Sequence, residues 1–382
     1  MSPRLRTLAL VGATLGGGAC FDGDATVGAV CSQASDCGPH QGCRHELCGR
    51  CGDGAHAEGE LCFADAVAVT DVPAVASVRA VDLDGDGRGE LLSLGPDGGL
   101  SWLRPHGGSL VAMPLHPGPV AASADGAIAG DDGRDLVLAA SPGLLVLEQR
   151  DDAFVGVQTL TLPLPAVEVA IVPLAQGVAL AWVDEAGSAW LQLPGDDAVP
   201  QALSVGTAVH LGPVGRFDDD AHDDLAVVDT RANRVQLLHG DGTTLVPGAT
   251  LTVGRGPVAA IGWDRTGDGR TDLLTLDVTG RTVTMVDVGA GGALSSPGAL
   301  ALAAAPTGAV AIDGDFDGVL DVFVGSVRGI TVWRAAGSET LDAVHLDTRA
   351  VDGLTHARFG PLPLPTLLAV RGAMLERIEV DP

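Results

Sequence analysis

An acidic, glycine-containing loop that runs into a short apolar segment recurs along this 382-residue chain at a spacing of about 46 residues. The clear copies lie at 81–94, 129–140, 216–229, 264–277 and 313–325. Two weaker copies, at 174–184 and 361–370, fill the remaining gaps and bring the number to seven. A period of about 40–50 residues is typical of β-propellers and of helical repeat proteins.

The segments inside each period have the character of β-strands. They are short, rich in Val and Leu, and bounded by Gly, Pro and Asp, and no stretch has a sustained helical period flanked by caps. Four strands of about five residues, with their turns, fill one period, which is the size of a propeller blade. The sequence therefore predicts an all-β, seven-bladed β-propeller of four-stranded blades over residues 64–382.

The segment 65–72, DAVAVTDV, precedes the first repeat and alternates like an outer strand. The last repeat ends one strand short at Pro382. We therefore expect 65–72 to complete the last blade and close the ring, which hides the strand edges where the first and last blades meet.

Two of the acidic loops carry carboxylates at positions one, three, five and nine and a glycine at position six. Alternate side chains converge on one point when such a loop wraps around it, and calcium takes six to eight oxygen ligands. With a backbone carbonyl at position seven, the ligand sets are Asp82, Asp84, Asp86, Arg88 and Glu90 in one loop, and Asp313, Asp315, Asp317, Val319 and Asp321 in the other.

These loops resemble the FG-GAP/VCBS repeats found in the propellers of integrin α subunits and in many bacterial surface proteins. The family pattern is Asp-x-Asp-x-Asp-Gly-x-x-Asp-Leu, and the resemblance extends over residues 64–382. It implies a propeller with calcium bound in its loops. The alternative left open is that acidic, glycine-rich loops are solvated turns.

Two further loops depart from the pattern. The loop 264–272 has the ligand set Asp264, Thr266, Asp268, Arg270 (carbonyl) and Asp272. Thr266 supplies a hydroxyl where the family prefers a carboxylate, so we expect weaker binding there. In the loop 216–224, Arg216 stands at position one ahead of the weaker candidates Asp218, Asp220 and Asp224. A guanidinium there can replace the ion by pairing with those carboxylates, so two to three Ca²⁺ ions are expected in total.

Residues 1–19 have the composition of an export signal, with Arg4 and Arg6 ahead of a short apolar stretch. Cys20 follows, and its lipidation as in a bacterial lipoprotein would leave an even number of cysteines. An ordinary secretion signal cut after Ala19 is the alternative. Residues 20–30 are interpreted as a linker.

The other six cysteines fall within residues 31–62, a loop-rich segment too small to build an apolar core. In an exported protein this pattern predicts disulfides among Cys31, Cys37, Cys43, Cys48, Cys51 and Cys62. The segment resembles short Cys-rich modules near the N-termini of myxobacterial surface proteins. The alternative is a zinc site that uses Cys48 and Cys51 with His40 and His45.

The formal net charge of −27 argues against a nucleic-acid partner, whose binding surfaces are basic. No nucleophile or phosphate-binding motif is present, so we expect a non-catalytic, calcium-binding module for adhesion, binding or scaffolding. It is expected to be a monomer at the outer membrane or cell surface, otherwise periplasmic or secreted, with a protein or polysaccharide ligand and membrane contact only through the lipid. The alternatives are a propeller enzyme, lyase or hydrolase, with a central-channel site, and a carbohydrate-binding lectin.

Overall fold

The structure is a computed structural model. It describes the backbone of residues 42–44, 47–49, 334–336 and 340–345, and backbone with side chains for 63–83, 89–106, 109–128, 134–150, 153–195, 199–314, 319–333, 346–358 and 366–379. The predicted signal segment, Cys20, the linker and the side chains of the cysteines in 31–62 lie outside these residues. Within them, no helix has the length and apolar character needed to cross a membrane.

Seven four-stranded antiparallel sheets follow one another along the chain, and we call them blades 1–7. Blades 1–3 consist of β4 (Ser77–Val81), β5 (Glu90–Leu94), β6 (Leu100–His106) and β7 (Ser109–His116); β8 (Val120–Gly126), β9 (Asp135–Ala140), β10 (Gly143–Arg150) and β11 (Ala153–Thr161); and β12 (Ala166–Leu174), β13 (Gly177–Asp184), β14 (Ala189–Gln192) and β15 (Gln201–Ala202). Each blade is a simple up-and-down meander, because its strands pair in chain order.

Blades 4–6 repeat this order. They consist of β16 (Val209–Gly215), β17 (Asp224–Asp229), β18 (Arg234–Gly240) and β19 (Leu245–Thr252); β20 (Pro257–Trp263), β21 (Asp272–Asp277), β22 (Thr282–Gly289) and β23 (Ala293–Ala301); and β24 (Pro306–Ile312), β25 (Asp321–Ser326), β26 (Gly329–Ala336) and β27 (Thr340–Asp347). A separate hairpin joins β1 (Gly42–Arg44) to β2 (Leu47–Gly49), in a register that places Cys43 opposite Cys48.

Blade 7 combines the two ends of the propeller. Its strands are β28 (Gly353–Ala357), β29 (Thr366–Arg371), β30 (Met374–Glu379) and, from the start of the repeats, β3 (Val67–Ala68). Val67 pairs with Arg377, and the N–H groups of Ala64 and Val69 donate to β30 carbonyls at 2.7 and 2.8 Å. Strand β3 lies within the segment 65–72, and it gives blade 7 its fourth strand.

The blades form a closed ring around their first strands. The first strands of successive blades contact one another in the pairs β8–β12, β12–β16, β16–β20, β20–β24, β24–β28 and β28–β4. At the seventh junction, Arg79 of β4 pairs with Asp125 of β8. Because every blade is traversed in the same order, the turns between first and second strands all open on one face of the ring. We call this the acidic-loop face, since the acidic loops of the sequence are those turns.

The second strands form the centre of each blade and are buried along their whole length in blades 2 and 4–7. Apolar clusters lie on both sides of them, between neighbouring blades. This double burial explains why the sequence shows continuous apolar runs there instead of an alternating pattern. The predicted all-β, seven-bladed propeller with four-stranded blades is confirmed.

Candidate metal sites on the acidic-loop face

The carboxylate at position nine of each acidic loop begins the second strand of its blade and is buried, with at most 2% of the residue exposed. Each accepts a hydrogen bond from the backbone N–H seven residues earlier, at 2.8–3.2 Å. The pairs are Leu83–Glu90, Ile128–Asp135, Phe217–Asp224, Arg265–Asp272 and Gly314–Asp321. The position-nine acid therefore fixes the start of its own loop.

In three blades the other oxygen of this carboxylate reaches the third strand. Asp135 accepts the backbone N–H of Gln149 at 3.0 Å. In the same way, Asp224 accepts that of Gly240 and Asp272 accepts that of Val288, both at 2.7 Å. Burial raises the pKa of Asp224 and Asp272, and the backbone N–H groups oppose that rise only in part. A nearby cation would favour the charged form of these buried acids.

In the two complete loops, Asp84, Asp86, Arg88, Asp315 and Asp317 lie outside the described residues. The position-one acids Asp82 and Asp313 are described, and so are Glu90, Val319 and Asp321. The Oδ1 atom of Asp82 is buried and has no hydrogen-bond partner among the described residues. A buried, unsatisfied carboxylate oxygen at position one is what a loop built around a cation would contain.

The loop 264–272 is wrapped around the carboxylate of Asp264, which accepts the N–H groups of Gly267, Asp268 and Gly269 at 2.7–3.2 Å. A carboxylate offers about four lone-pair sites, so this leaves room for one further partner. The N–H of Thr266 donates to Asp272 at 3.0 Å. Hydrogen bonds from the loop's own backbone N–H groups to Asp264 and Asp272 therefore already hold it in a curved conformation.

Arg270, expected to contribute its carbonyl, uses its side chain to join two blades. Its guanidinium contacts Asp268 at 2.6 Å in its own loop and Asp219 of blade 4 at 2.8 Å. Asp219 also accepts the N–H of Gly291 at 2.9 Å. These contacts hold the acidic loops of blades 4 and 5 side by side.

The loop 216–224 differs from the sequence-based expectation at its first position. The side chain of Arg216 is exposed and forms no ion pair with Asp218, Asp220 or Asp224 among the described residues. The adjacent Phe217 is fully buried, which leaves Arg216 on the solvent side of the strand end. Asp220 accepts the N–H of His222 at 2.7 Å instead of facing the other acids.

A histidine takes the place next to the remaining two acids. Nδ1 of His239, on the third strand, lies 3.1 Å from Oδ2 of Asp218 and 3.7 Å from Oδ2 of Asp224. Leu238 pairs with Leu225, so the next residue, His239, lies beside Asp224 across β17 and β18. Among the described residues, these three form a group whose candidate metal-binding atoms all lie within 4.8 Å of one another. Sequence reasoning missed His239 because it lies outside the loop.

A second set of buried acids ends the second strands of blades 3–5. Asp184 accepts the N–H groups of Ala186 and Ser188 at 3.0 Å, and Asp229 accepts those of Arg231 and Ala232 at 3.0 and 2.9 Å. In blade 5, Asp277 accepts three hydroxyls, from Thr275, Thr282 and Thr284. These acids lie at the opposite ends of the second strands, and their hydrogen bonds stabilise the turns there.

Charged pairs join neighbouring first strands around the ring axis. Arg79 of blade 1 pairs with Asp125 of blade 2, and Arg134 reaches the same Asp125 at 2.8 Å. In blades 3 and 4, Oε1 of Glu168 lies 2.5 Å from Nδ1 of His210. The pairs Arg79–Asp125 and Glu168–His210 connect adjacent blades, whereas Arg134 belongs to the same blade as Asp125. Nη2 of Arg79 is buried and has no hydrogen-bond partner among the described residues.

Comparison with solved structures finds the same fold at low sequence identity. Structures of BBS1N in complex with ARL6DN, soaked with mercury or lead, match with TM-scores of 0.59 and 0.58 at 17% and 16% identity, covering 84% of this chain and 96% of theirs. The β-propeller domain of Myceliophteria thermophila Cps50 (Swd1) matches with a TM-score of 0.58 at 11% identity, covering 84% of this chain and 99% of that domain.

The WD40 β-propeller domain of Doa1 matches with a TM-score of 0.52 at 11% identity, covering 84% of this chain and 97% of that domain. No protein-family model and no curated protein matches the sequence. The likenesses establish the propeller fold alone.

Proposed function

We propose that this chain is a non-catalytic binding module of the FG-GAP/VCBS type, exported to the cell surface and stiffened by calcium. The observation that carries the proposal is the acidic-loop face, where four aspartate-rich loops open on the same side of the ring. Asp82 contributes a buried oxygen there that has no hydrogen-bond partner among the described residues, and backbone donors hold the position-nine acids in place. Calcium would neutralise carboxylates that otherwise repel one another.

The partner proposed for this module is a protein. A matching propeller, BBS1N, is described in complex with ARL6DN, and propellers present wide loop surfaces of the kind that the acidic-loop face provides. A polysaccharide ligand is the second candidate. The charged pairs described near the ring axis connect neighbouring blades, so they do not specifically favour an enzymatic function.

Export and lipidation are the parts of the proposal that rest on the sequence. Mass spectrometry of membrane fractions should find Cys20 as an acylated N-terminus, and non-reducing peptide mapping should find three disulfides within residues 31–62. A soluble mature protein with an unmodified Cys20 would contradict lipidation. Free thiols holding zinc would contradict the disulfide assignment.

Calorimetry tests the calcium proposal. Titration of the chelator-treated mature protein with CaCl₂ should count two or three ions per chain, and chelation should lower the melting temperature. The reason is that an ion bound to the folded state alone adds RT ln(1 + [L]/Kd), about 2.7 kcal/mol at a hundredfold excess over Kd. If the protein bound no calcium at millimolar concentration and its melting temperature did not change, the calcium assignment would be wrong. The conclusion that the chain is a propeller would not be affected.

A further inference from the structure

The cluster of His239, Asp218 and Asp224 has the dimensions of a small metal site. Metal-bound nitrogen and oxygen atoms lie about 2.0–2.2 Å from a tetrahedral zinc ion, so two such ligands are about 3.3–3.6 Å apart. The separations from His239 Nδ1, 3.1 and 3.7 Å, bracket that distance. Small side-chain adjustments would bring all three atoms onto one ion.

The imidazole is oriented toward the two acids without bonding to them. Its Nδ1 atom is buried and has no hydrogen-bond partner among the described residues, although Asp218 Oδ2 is only 3.1 Å away. Asp224 is fully buried, and backbone N–H groups of Phe217 and Gly240 fix both its oxygens. Such outer hydrogen bonds hold ligating carboxylates in place at metal sites.

Two glycines, Gly248 and Gly292, provide the space that the imidazole of His239 occupies. A Cβ on Gly248, in β19, would lie 2.2 Å from Cδ2 and Nε2 of His239. A Cβ on Gly292, in blade 5, would lie 2.4 Å from Cε1 of the same ring. Any larger residue at either position would displace the imidazole, so the ring sits in a cradle formed by both blades.

The corresponding position in blades 2 and 5 carries a different residue with a different partner. Glu148 of blade 2, beside Asp135, pairs with Arg150 at 2.8 Å. Asp287 of blade 5, beside Asp272, pairs with Arg265 at 2.6 Å. Of these three blades, only blade 4 has an imidazole beside the position-nine acid, and there no arginine pairs with the residue at that position.

We propose that Asp218, Asp224 and His239 form a site for a borderline transition-metal ion, Zn²⁺, on the acidic-loop face of blade 4. Calcium prefers oxygen ligands, whereas imidazole with carboxylates suits zinc. Three protein ligands leave one position of a tetrahedral ion open for water or for a partner's side chain. The inference goes beyond the calcium proposal, because it concerns another ion and a ligand outside the repeat loop.

Zinc titration of the full mature chain, with disulfides intact, tests the site. The wild-type protein should bind one more equivalent of Zn²⁺ than His239→Gln, and Asp218→Asn should weaken this equivalent at least tenfold. His222→Gln is the matched control, since His222 lies in the same loop but outside the cluster. Zinc bound elsewhere, for example by cysteines, would remain in all three variants. Equal zinc stoichiometry and affinity in wild-type and His239→Gln, with circular dichroism showing both folded, would overturn the proposal.

Two further measurements separate ligand roles from folding. Co²⁺ substitution should give the visible absorption of a four-coordinate nitrogen–oxygen site, absent in His239→Gln. Gly248→Ala keeps all three ligands but displaces the ring, so it should weaken Zn²⁺ binding while Ca²⁺ stoichiometry stays as in the wild type. Unchanged zinc affinity in Gly248→Ala would contradict the cradle. Because calcium is counted in the same samples, loss of the zinc proposal and loss of the calcium proposal give different results.

Discussion

Asp272, the first residue of the second strand in blade 5, accepts the backbone N–H of Val288 at 2.7 Å, sixteen residues further along the chain. Its other oxygen accepts the N–H groups of Arg265 and Thr266 at 3.0 Å. One buried carboxylate thus joins the acidic loop, the second strand and the third strand of the blade. Asp224 makes the equivalent bonds to Phe217 and Gly240.

Replacing Asp272 should destabilise the propeller whether or not calcium is present. Asp272→Ala leaves the N–H of Val288 buried without a partner, which costs about 1–3 kcal/mol. Chemical denaturation of the chelated protein should reveal the lower stability. Asp65→Ala, at an exposed position, is the control and should change stability by no more than about 0.5 kcal/mol. Equal midpoints for the two variants would show that this carboxylate does not support the blade.

Ring closure should depend on Phe63, which precedes β3 and is fully buried. Its ring meets Phe323 of blade 6 edge to face, with centroids 5.5 Å apart. Phe63→Ala should lower the free energy of unfolding by about 3–5 kcal/mol, because it opens a cavity where β3 docks. Val67→Ala, at an exposed site in β3 itself, should have little effect. If thermal melts of both variants match the wild type, closure by β3 contributes little to stability.

The sequence predicted the fold because an acidic loop marks the start of the central strand in most of the repeats. Apolar runs such as those beginning at Leu225 and Leu273 follow each acidic loop, and they are the strands buried on both faces. Chain order then determines the meander. The period and the Val/Leu content were enough to give the number of blades and the number of strands in each.

Side-chain roles were less predictable. A carboxylate at position nine suits a calcium ligand, yet the same spacing lets it accept the N–H seven residues earlier, and spacing alone does not distinguish the two uses. Asp229 and Asp277 were missed, although each follows its position-nine acid by five residues, in DLAVVD and DLLTLD. His239 needed the pairing of β17 with β18, which the loop motif does not contain.

The contact between Glu168 and His210 should make stability depend on pH. The hydrogen bond that His210 donates to the Glu168 carboxylate raises the pKa of His210 above its ordinary value, despite the opposing effect of burial. A raised folded-state pKa means that the stabilisation is fully present below the ordinary histidine value of about 6.5. It is lost as the pH rises through the raised pKa.

His210→Gln should therefore lower the melting temperature more at pH 6 than at pH 9. Both side chains are about one-third exposed, so the pH-dependent part of the loss in unfolding free energy should stay below about 1 kcal/mol. His106→Gln, at an exposed strand end, should show no such pH dependence. A difference between wild type and His210→Gln that is the same at both pH values would refute an ionic contribution from this pair.

Replacement of two position-one aspartates, Asp82 and Asp264, should affect stability differently with and without calcium. Oδ1 of Asp82 is buried with no hydrogen bond among the described residues, whereas Asp264 accepts three N–H groups of its own loop. Asp82→Ala should therefore cost stability only when calcium is present, because it removes an ion ligand and breaks no hydrogen bond among these residues. Asp264→Ala should cost about 0.5–1.5 kcal/mol in chelator as well, because it removes the hydrogen bonds that these exposed loop N–H groups make.

Melting temperatures of wild type and both variants, each with excess calcium and with chelator, check this contrast. We expect Asp82→Ala to melt at the same temperature as the wild type in chelator and at a lower temperature in calcium. The corresponding loss of unfolding free energy is at most the roughly 2.7 kcal/mol that an ion at a hundredfold excess over Kd supplies. Asp264→Ala should fall below the wild type in both conditions, with a smaller calcium-dependent part because Thr266 already weakens that loop. An equal loss for Asp82→Ala in calcium and in chelator would mean that Asp82 supports the loop directly and that no ion depends on it.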